Sequence, residues 1–274
     1  MSAAAVPTQG GLRAGLLDAY TATRRFLIRG MRQPDVIFGS ILIPVIFVVL
    51  FGYVFGSSIR LPGGGNYRSY LMPGLFAMTI LFSSNNVAVA VATDMSEGVV
   101  DRFRTLPIAR SAIVIGRSLS SLILGIPVLA VMIVCGLAVG WHPEDGLGNA
   151  VLAFLLFELF GFAIGWLGVL VGLLAGGAQA ADVIISIPTF LLGFISSVFV
   201  DPALMPAWLR VIAYWNPMSA VVQAGRQLFG NTIGPPPAGV WSLDHPIVTT
   251  VGLAMIIIIV VAPICVRLYS HSTR

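Results

Sequence analysis

Lysine is absent: none occurs among the 274 residues, and all fifteen basic side chains are arginine. A phosphate-binding P-loop needs a lysine to reach the β- and γ-phosphates, so the chain holds no standard ATPase site of its own. Charge of either sign is scarce. Charged residues make up 9% and hydrophobic ones 57%, against about 25% and roughly 45–50% in a soluble domain. So few charges cannot keep a globular surface wet, and much of this surface must face lipid. Cysteine is down to Cys135 and Cys265, both inside apolar runs without CxxC spacing; they read as packing residues and carry no redox signal. His142, His245 and His271 lie far apart with no ligand spacing, and no serine sits in a GxSxG elbow. Neither a metal centre nor a hydrolase is expected. The N-terminal arginines have no apolar core of their own, so no cleaved signal peptide is expected.

What is present is a series of apolar runs. Six stand out, near 36–56, 70–93, 112–139, 150–175, 181–200 and 247–267, each long enough at about 20 residues to cross a bilayer; the fifth is short and interrupted by Pro188. The chain is therefore expected to be all-α, a single polytopic membrane domain over 1–274. Five arginines precede the first run, four lie within 102–117 (Arg102, Arg104, Arg110, Arg117), and Arg267 and Arg274 end the chain. With the N-terminus inside, those eleven are cytoplasmic, and only Arg60, Arg68, Arg210 and Arg226 fall outside. This is the positive-inside bias, and an even number of spans puts both termini in the cytoplasm. A net charge of +4 is accounted for by headgroup contact beside the spans, so lipid and not nucleic acid is the expected counterpart.

Three connections have character. In 11–32, Leu12, Leu16, Tyr20, Thr23, Leu27 and Met31 share one helical face, opposite Asp18, Thr21, Arg25, Arg29 and Arg32. Such a basic amphipathic helix lies in the interface, and Pro34 then breaks it. It serves either as a surface anchor or as a docking element, with Arg24, Arg25, Arg29 and Arg32 as its charges. Residues 94–111 form the longest cytoplasmic connection. Asp94 and Glu97 have capping-box spacing, a short amphipathic helix is expected after Gly98, and Ser111 is a candidate cap for the next span. This loop is either a headgroup-level connection or a protein contact; both signs of charge beside apolar residues favour the contact. The outer segment 201–246 reads as two short amphipathic pieces, Leu204–Ala213 and Pro217–Phe229, with interface-type aromatics (Trp208, Tyr214, Trp215, Trp241). Together they suit a re-entrant pair.

Within the spans, Gly161, Gly165, Gly168, Gly172 and Gly176 line one helix face. Glycine there lets another backbone approach closely in lipid, either within the chain or between subunits. Glu158 shares that span, and an ionisable group at such depth must face a partner, a wet cavity or the bundle interior. Ser83, Ser84, Asn85 and Asn86 form a polar cluster midway along the second span. Asn85, Asn86 and Glu158 either line a substrate path or hydrogen-bond between helices.

The run Glu97-Gly98-Val99-Val100-Asp101-Arg102-Phe103-Arg104-Thr105-Leu106-Pro107, followed by Gly116-Arg117, and the later Met205-Pro206-Ala207-Trp208-Leu209, Asn216-Pro217 and Arg226 resemble the permease subunits of type-2 ABC exporters, in particular the daunorubicin-resistance branch. The resemblance covers about 12–268. It implies a permease of a bacterial cell membrane, paired with an identical or homologous second permease and with two ABC ATPase subunits, which hold the ATP and Mg. It also implies a coupling helix at about 97–106, with Val99 and Phe103 as an apolar plug and Glu97, Asp101, Arg102, Arg104 and Leu106 around it, and it makes 11–32 the interface helix beside it. The expected cargo is amphipathic, drug-like or lipid-like. A polysaccharide or glycolipid permease of the same architecture, or an ion-coupled secondary transporter, are the alternative readings.

Overall fold

The structure, a computed structural model, describes residues 12–32, 34–54, 66–97, 110–232, 234 and 239–271. Among these it is all-helical. The long elements are α1 (Leu12–Met31), α2 (Pro34–Val49, continued by a π-turn over Leu50–Val54), α3 (Tyr67–Ser96), α4 (Arg110–Ala138), α5 (Gly146–Leu174) and α6 (Ala178–Phe194). A 3-10 turn at Pro202–Leu204 leads to α7 (Ala207–Trp215), α8 (Pro217–Phe229), the one-turn α9 (Trp241–Asp244) and α10 (Pro246–His271). Four helices, α3, α4, α5 and α10, are long and apolar enough to cross a membrane, while α2 and α6 are shorter apolar helices. The chain is a multi-pass membrane protein.

Local chemistry explains several boundaries. Asn66 caps α3 by accepting from the Arg68 N–H at 3.0 Å, the usual means of satisfying a free helix-start donor. Asn216 does the same for Met218 at 2.8 Å, and Pro217 takes the first helical position, where its missing N–H costs nothing. Pro34 opens α2 in the same way, three residues after Met31 closes α1. At the other end of α8, Gly230 adopts a left-handed φ of 73°, and a Cβ there would also press on the Asp145 backbone at 3.0 Å.

Four expectations need correction. Pro188 does not interrupt the fifth span, because α6 runs through it to Phe194. That span stops short of 200: residues 195–200 fold into a turn whose Val198 and Phe199 are buried in the core, so the apolar run continued for packing and not for helix. Asp94 and Glu97 do not form a capping box. Asp94 lies in the last turns of α3, and the Glu97 N–H closes that helix on Thr93 O at 2.9 Å. Ser111 does not cap α4, which already begins at Arg110.

The core is polarised along α3. Residues 70–81 of α3 are buried without a break, and Phe76 sits within a cluster of Trp141, Phe154 and Phe229 with ring centroids 5.0–6.0 Å apart. At its start, Tyr67 and Tyr70 donate to the Phe199 and Ser197 carbonyls of the 195–200 turn at 2.9 and 3.1 Å. From the other side α8 grips the same turn. Asn216 Nδ2 donates to the Leu192 and Ile195 carbonyls, and Ser219 Oγ accepts from the Ser197 N–H at 3.0 Å. Arg226, only 2% exposed, completes the clamp. It donates from Nε to Tyr70 O (3.0 Å), from Nη1 to Ser197 Oγ (3.2 Å) and from Nη2 to Ser197 O (2.6 Å), with its guanidinium 3.5 Å over the Tyr70 ring. The outer amphipathic pair therefore splits in character: α7 exposes Trp208, Val211, Ile212 and Trp215, whereas α8 is buried along nearly its whole length.

Arg226→Gln is expected to lower stability by roughly 3 kcal/mol, because hydrogen bonds to a charged group are worth about 1.5–3 kcal/mol and their buried acceptors would go unpaired. Arg226→Lys will not restore it, since an ammonium cannot spread donors over this fork. Thermal unfolding in detergent, followed by size-exclusion retention, reads both changes.

Candidate functional site

Beyond Leu81 the character of α3 changes. The second half of the helix forms one wall of a cavity of about 1130 Å³ bounded by α1 to α6, with α3 contributing from Thr79 to Asp94. At 1.5 Å per residue this wall is roughly 22 Å long. The cavity exists because Ser83, Asn86 and the glycine face of α5 fill little space, whereas Leu71, Met72, Leu75 and Phe76 fill the first half of the bundle.

The end of the cavity where α3 stops and α4 begins is held by charge. Asp94 accepts from Arg29 at 2.7 Å and lies 3.7 Å from Arg117; the second Arg29 nitrogen is 3.5 Å from Glu97. Arg117 also rests over the Phe26 ring at 5.1 Å. One carboxylate thus ties α1, α3 and α4 together. Apolar packing supports it: Ala22 and Phe26 of α1 are buried against Ile113 and Val114 of α4, and the close approach is made at Gly116, where a Cβ would come 2.7 Å from Ala22 Cβ and 2.9 Å from Thr23 N. The α1 face that meets protein is thus Ala19, Ala22, Thr23 and Phe26. It is offset from the apolar stripe in the sequence, whose Tyr20 and Met31 stay 68% and 67% exposed.

Deeper in, Asn85 bridges helices. Its Nδ2 donates to Ser186 Oγ of α6 at 3.0 Å, its Oδ1 accepts from Thr189 Oγ1 at 3.2 Å, and Ser186 in turn donates to Asp182 at 3.1 Å. Asn86, one residue on, is exposed on the cavity wall. Glu158 also lines the cavity, and its Oε1 is buried without a hydrogen-bond partner. The structure therefore brings Asn85, Asn86 and Glu158 to one space, with Asn85 occupied in holding α3 to α6.

Residues 18–229 match the family model of the ABC-2 type transporter. The chain belongs to the ABC-2 type transporter family. It is 30% identical over 266 residues, 96% of its length and 90% of the relative, to the "daunorubicin resistance ABC transporter permease protein DrrB1" of Streptomyces coeruleorubidus. It is 23% identical over 251 residues, 90% of its length and 91% of the relative, to the "probable doxorubicin resistance ABC transporter permease protein DrrC" of Mycobacterium tuberculosis. The chain is accordingly a membrane permease subunit of an ABC transporter, a system in which an ATPase partner supplies the energy.

The other expected residues of this ABC-2 permease fall as follows. Glu97 sits at the end of α3 beside Arg29. Val99, Asp101, Arg102, Phe103, Arg104 and Leu106 lie outside the described residues. Arg24, Arg25 and Arg32 are exposed on α1. The glycine stripe divides. Gly161, Gly168 and Gly172 pack on α3, where a Cβ at Gly168 or Gly172 would lie 2.6 Å from the Ser84 or Ala88 carbonyl. Gly165 has nothing within 4 Å of such a Cβ and borders the cavity, and Gly176, past the end of α5, also faces open space. Sequence reasoning missed Arg117 and Asp94 as partners. The signal available was Gly116-Arg117, a glycine for close approach followed by a cation about two turns into a helix.

In Gly172→Leu the new side chain collides with α3, and loss of monodisperse protein is expected; Gly165→Leu projects into open space and is expected to keep the unfolding temperature within a few degrees. Asp94→Asn removes the carboxylate shared by Arg29 and Arg117. Partly exposed pairs of this kind are worth up to about 1 kcal/mol, so amide exchange in α1 is expected to rise roughly fivefold by mass spectrometry, with α8 unchanged.

Proposed function

We propose that this permease, in a bacterial cell membrane, exports amphipathic compounds, drug-like or lipid-like, under the drive of a separate ATPase chain. The cavity carries this reading. Its volume of about 1130 Å³ lies just above the roughly 300–1,000 Å³ of ligand pockets, enough to take a drug-sized molecule, and its wall joins phenylalanine rings to polar groups. The names of both relatives point to drug resistance. The rings are all phenylalanine, without the hydroxyl or indole N–H that a glycan path would use, which favours an apolar cargo over a polysaccharide.

In this reading the chain is one domain of six spans. α2 with its π-turn has 21 residues, about 30 Å at 1.5 Å each, and α6 with the buried 195–200 turn completes the fifth crossing. Both termini lie in the cytoplasm, α1 rests at the inner interface, and α7 with α8 re-enters from outside. Residues 97–106 dock on the ATPase, with Val99 and Phe103 as the apolar contact and Asp101, Arg102, Arg104 and Leu106 about them. ATP and Mg stay in that partner, of which two copies serve a pair of permeases, identical or homologous. Glu97 belongs both to the docking segment and to the Arg29–Asp94–Arg117 cluster, so a force on the loop reaches the cavity wall directly. Nucleotide state then biases the cavity by differential contact.

Pull-down from mild detergent is expected to bring an ABC ATPase with the permease in equal numbers. In liposomes the permease alone should be idle, and the complex should export an amphipathic dye with ATP. Phe103→Asp should abolish cargo-stimulated ATP hydrolysis with insertion intact. Pumping without the ATPase would overturn the reading.

A further inference from the structure

We propose that Glu158 is the recognition point for a positively charged group on an organic cation held in the α1–α6 cavity; this rests on reading that cavity as the cargo path. The carboxylate lines the cavity, and its Oε1 is shut from solvent with no hydrogen-bond donor. It lies twelve residues, roughly 18 Å, along α5 from Gly146, in the middle of an apolar helix. Among the described residues no arginine pairs with it: Arg29 and Arg117, the two that reach the cavity, are taken by Asp94 and Glu97. An ionised carboxyl at that depth is costly unless something compensates it, and among the described residues its Oε1 has no hydrogen-bond partner.

The surroundings narrow the class of ligand. Phe47, Phe82, Phe162 and Phe190 line the same space, and aromatic faces attract desolvated organic cations while repelling anions. Three and seven residues beyond Glu158, on the same face of α5, Gly161 and Gly165 also border the cavity, and the space beside Gly165 is open. A bulky apolar body therefore has room next to the carboxylate. A metal ion would need several ligands, and among the described residues no cluster of three His, Cys, Asp or Glu side chains exists. The two arginines that line the cavity are paired with Asp94 and Glu97, and Asp182 adds a further carboxylate to its wall.

Equilibrium binding to the purified permease tests this with two probes of matched shape and opposite charge, tetraphenylphosphonium and tetraphenylborate. The cation is expected to bind at least about tenfold tighter than the anion. Glu158→Gln should erase that preference, and Glu158→Asp should restore part of it. Equal binding of both ions to the wild-type chain, or a preference untouched by Glu158→Gln, would overturn the proposal. Should Glu158→Gln fail to fold, the wild-type comparison of the two ions decides alone. Failure of ATP-driven export with cation preference intact would instead sink the export reading. Export without cation preference would sink only this one.

Discussion

A cation buried where water cannot reach must be paid for in hydrogen bonds, and Arg226 sets the half of this molecule around α8 and the start of α3 on that condition. Its fork reaches the backbone of α3 at Tyr70 and both the backbone and the hydroxyl of Ser197, while the Tyr70 ring covers its face. Three segments far apart in sequence can satisfy one guanidinium only in a single arrangement. The 195–200 turn, the buried course of α8 and the start of α3 follow from it, and the aromatic cluster around Phe76 fills the space that this arrangement leaves.

The other end of the bundle is held more lightly. Asp94 joins Arg29 and Arg117 where the side chains are still partly hydrated, so this cluster is cheaper to break than the Arg226 clamp. A half clamped by buried hydrogen bonds and a more lightly held charged end thus lie at opposite ends of α3, and the cavity runs along the second of them. In an ABC transporter the drive comes from an ATPase partner, so the permease has to respond to a contact and not only to its cargo.

The glycines of α5 have two uses on one face. Gly168 and Gly172 admit the backbone of α3 to distances that a Cβ would forbid, and this contact fixes the spacing of the two central helices. Gly165 lies between them and Glu158 and faces open space instead. The same absence of a side chain makes tight packing in one place and room in another, depending on whether α3 carries a close backbone or recedes opposite it.

Much of the architecture was legible in the amino acids. Apolar runs marked the four long apolar helices and the two shorter ones, because a long run without charge in lipid is most stable as helix. Only the end of the fifth run, where the turn at 195–200 takes over, was misplaced. The amphipathic pattern of Pro217–Phe229 announced α8, which has those bounds. The scarcity of charge marked a membrane protein, because so few ionic groups cannot keep a globular surface wet. Tertiary structure alone decided which polar groups met. Asn85 became a bridge to Ser186, 101 residues away, Arg226 went to the core and not to solvent, and Glu158 Oε1 was left beside a cavity without a hydrogen-bond partner among the described residues. Helical periodicity states which residues share a face; what lies opposite that face depends on contacts across the whole chain, and no local pattern encodes them.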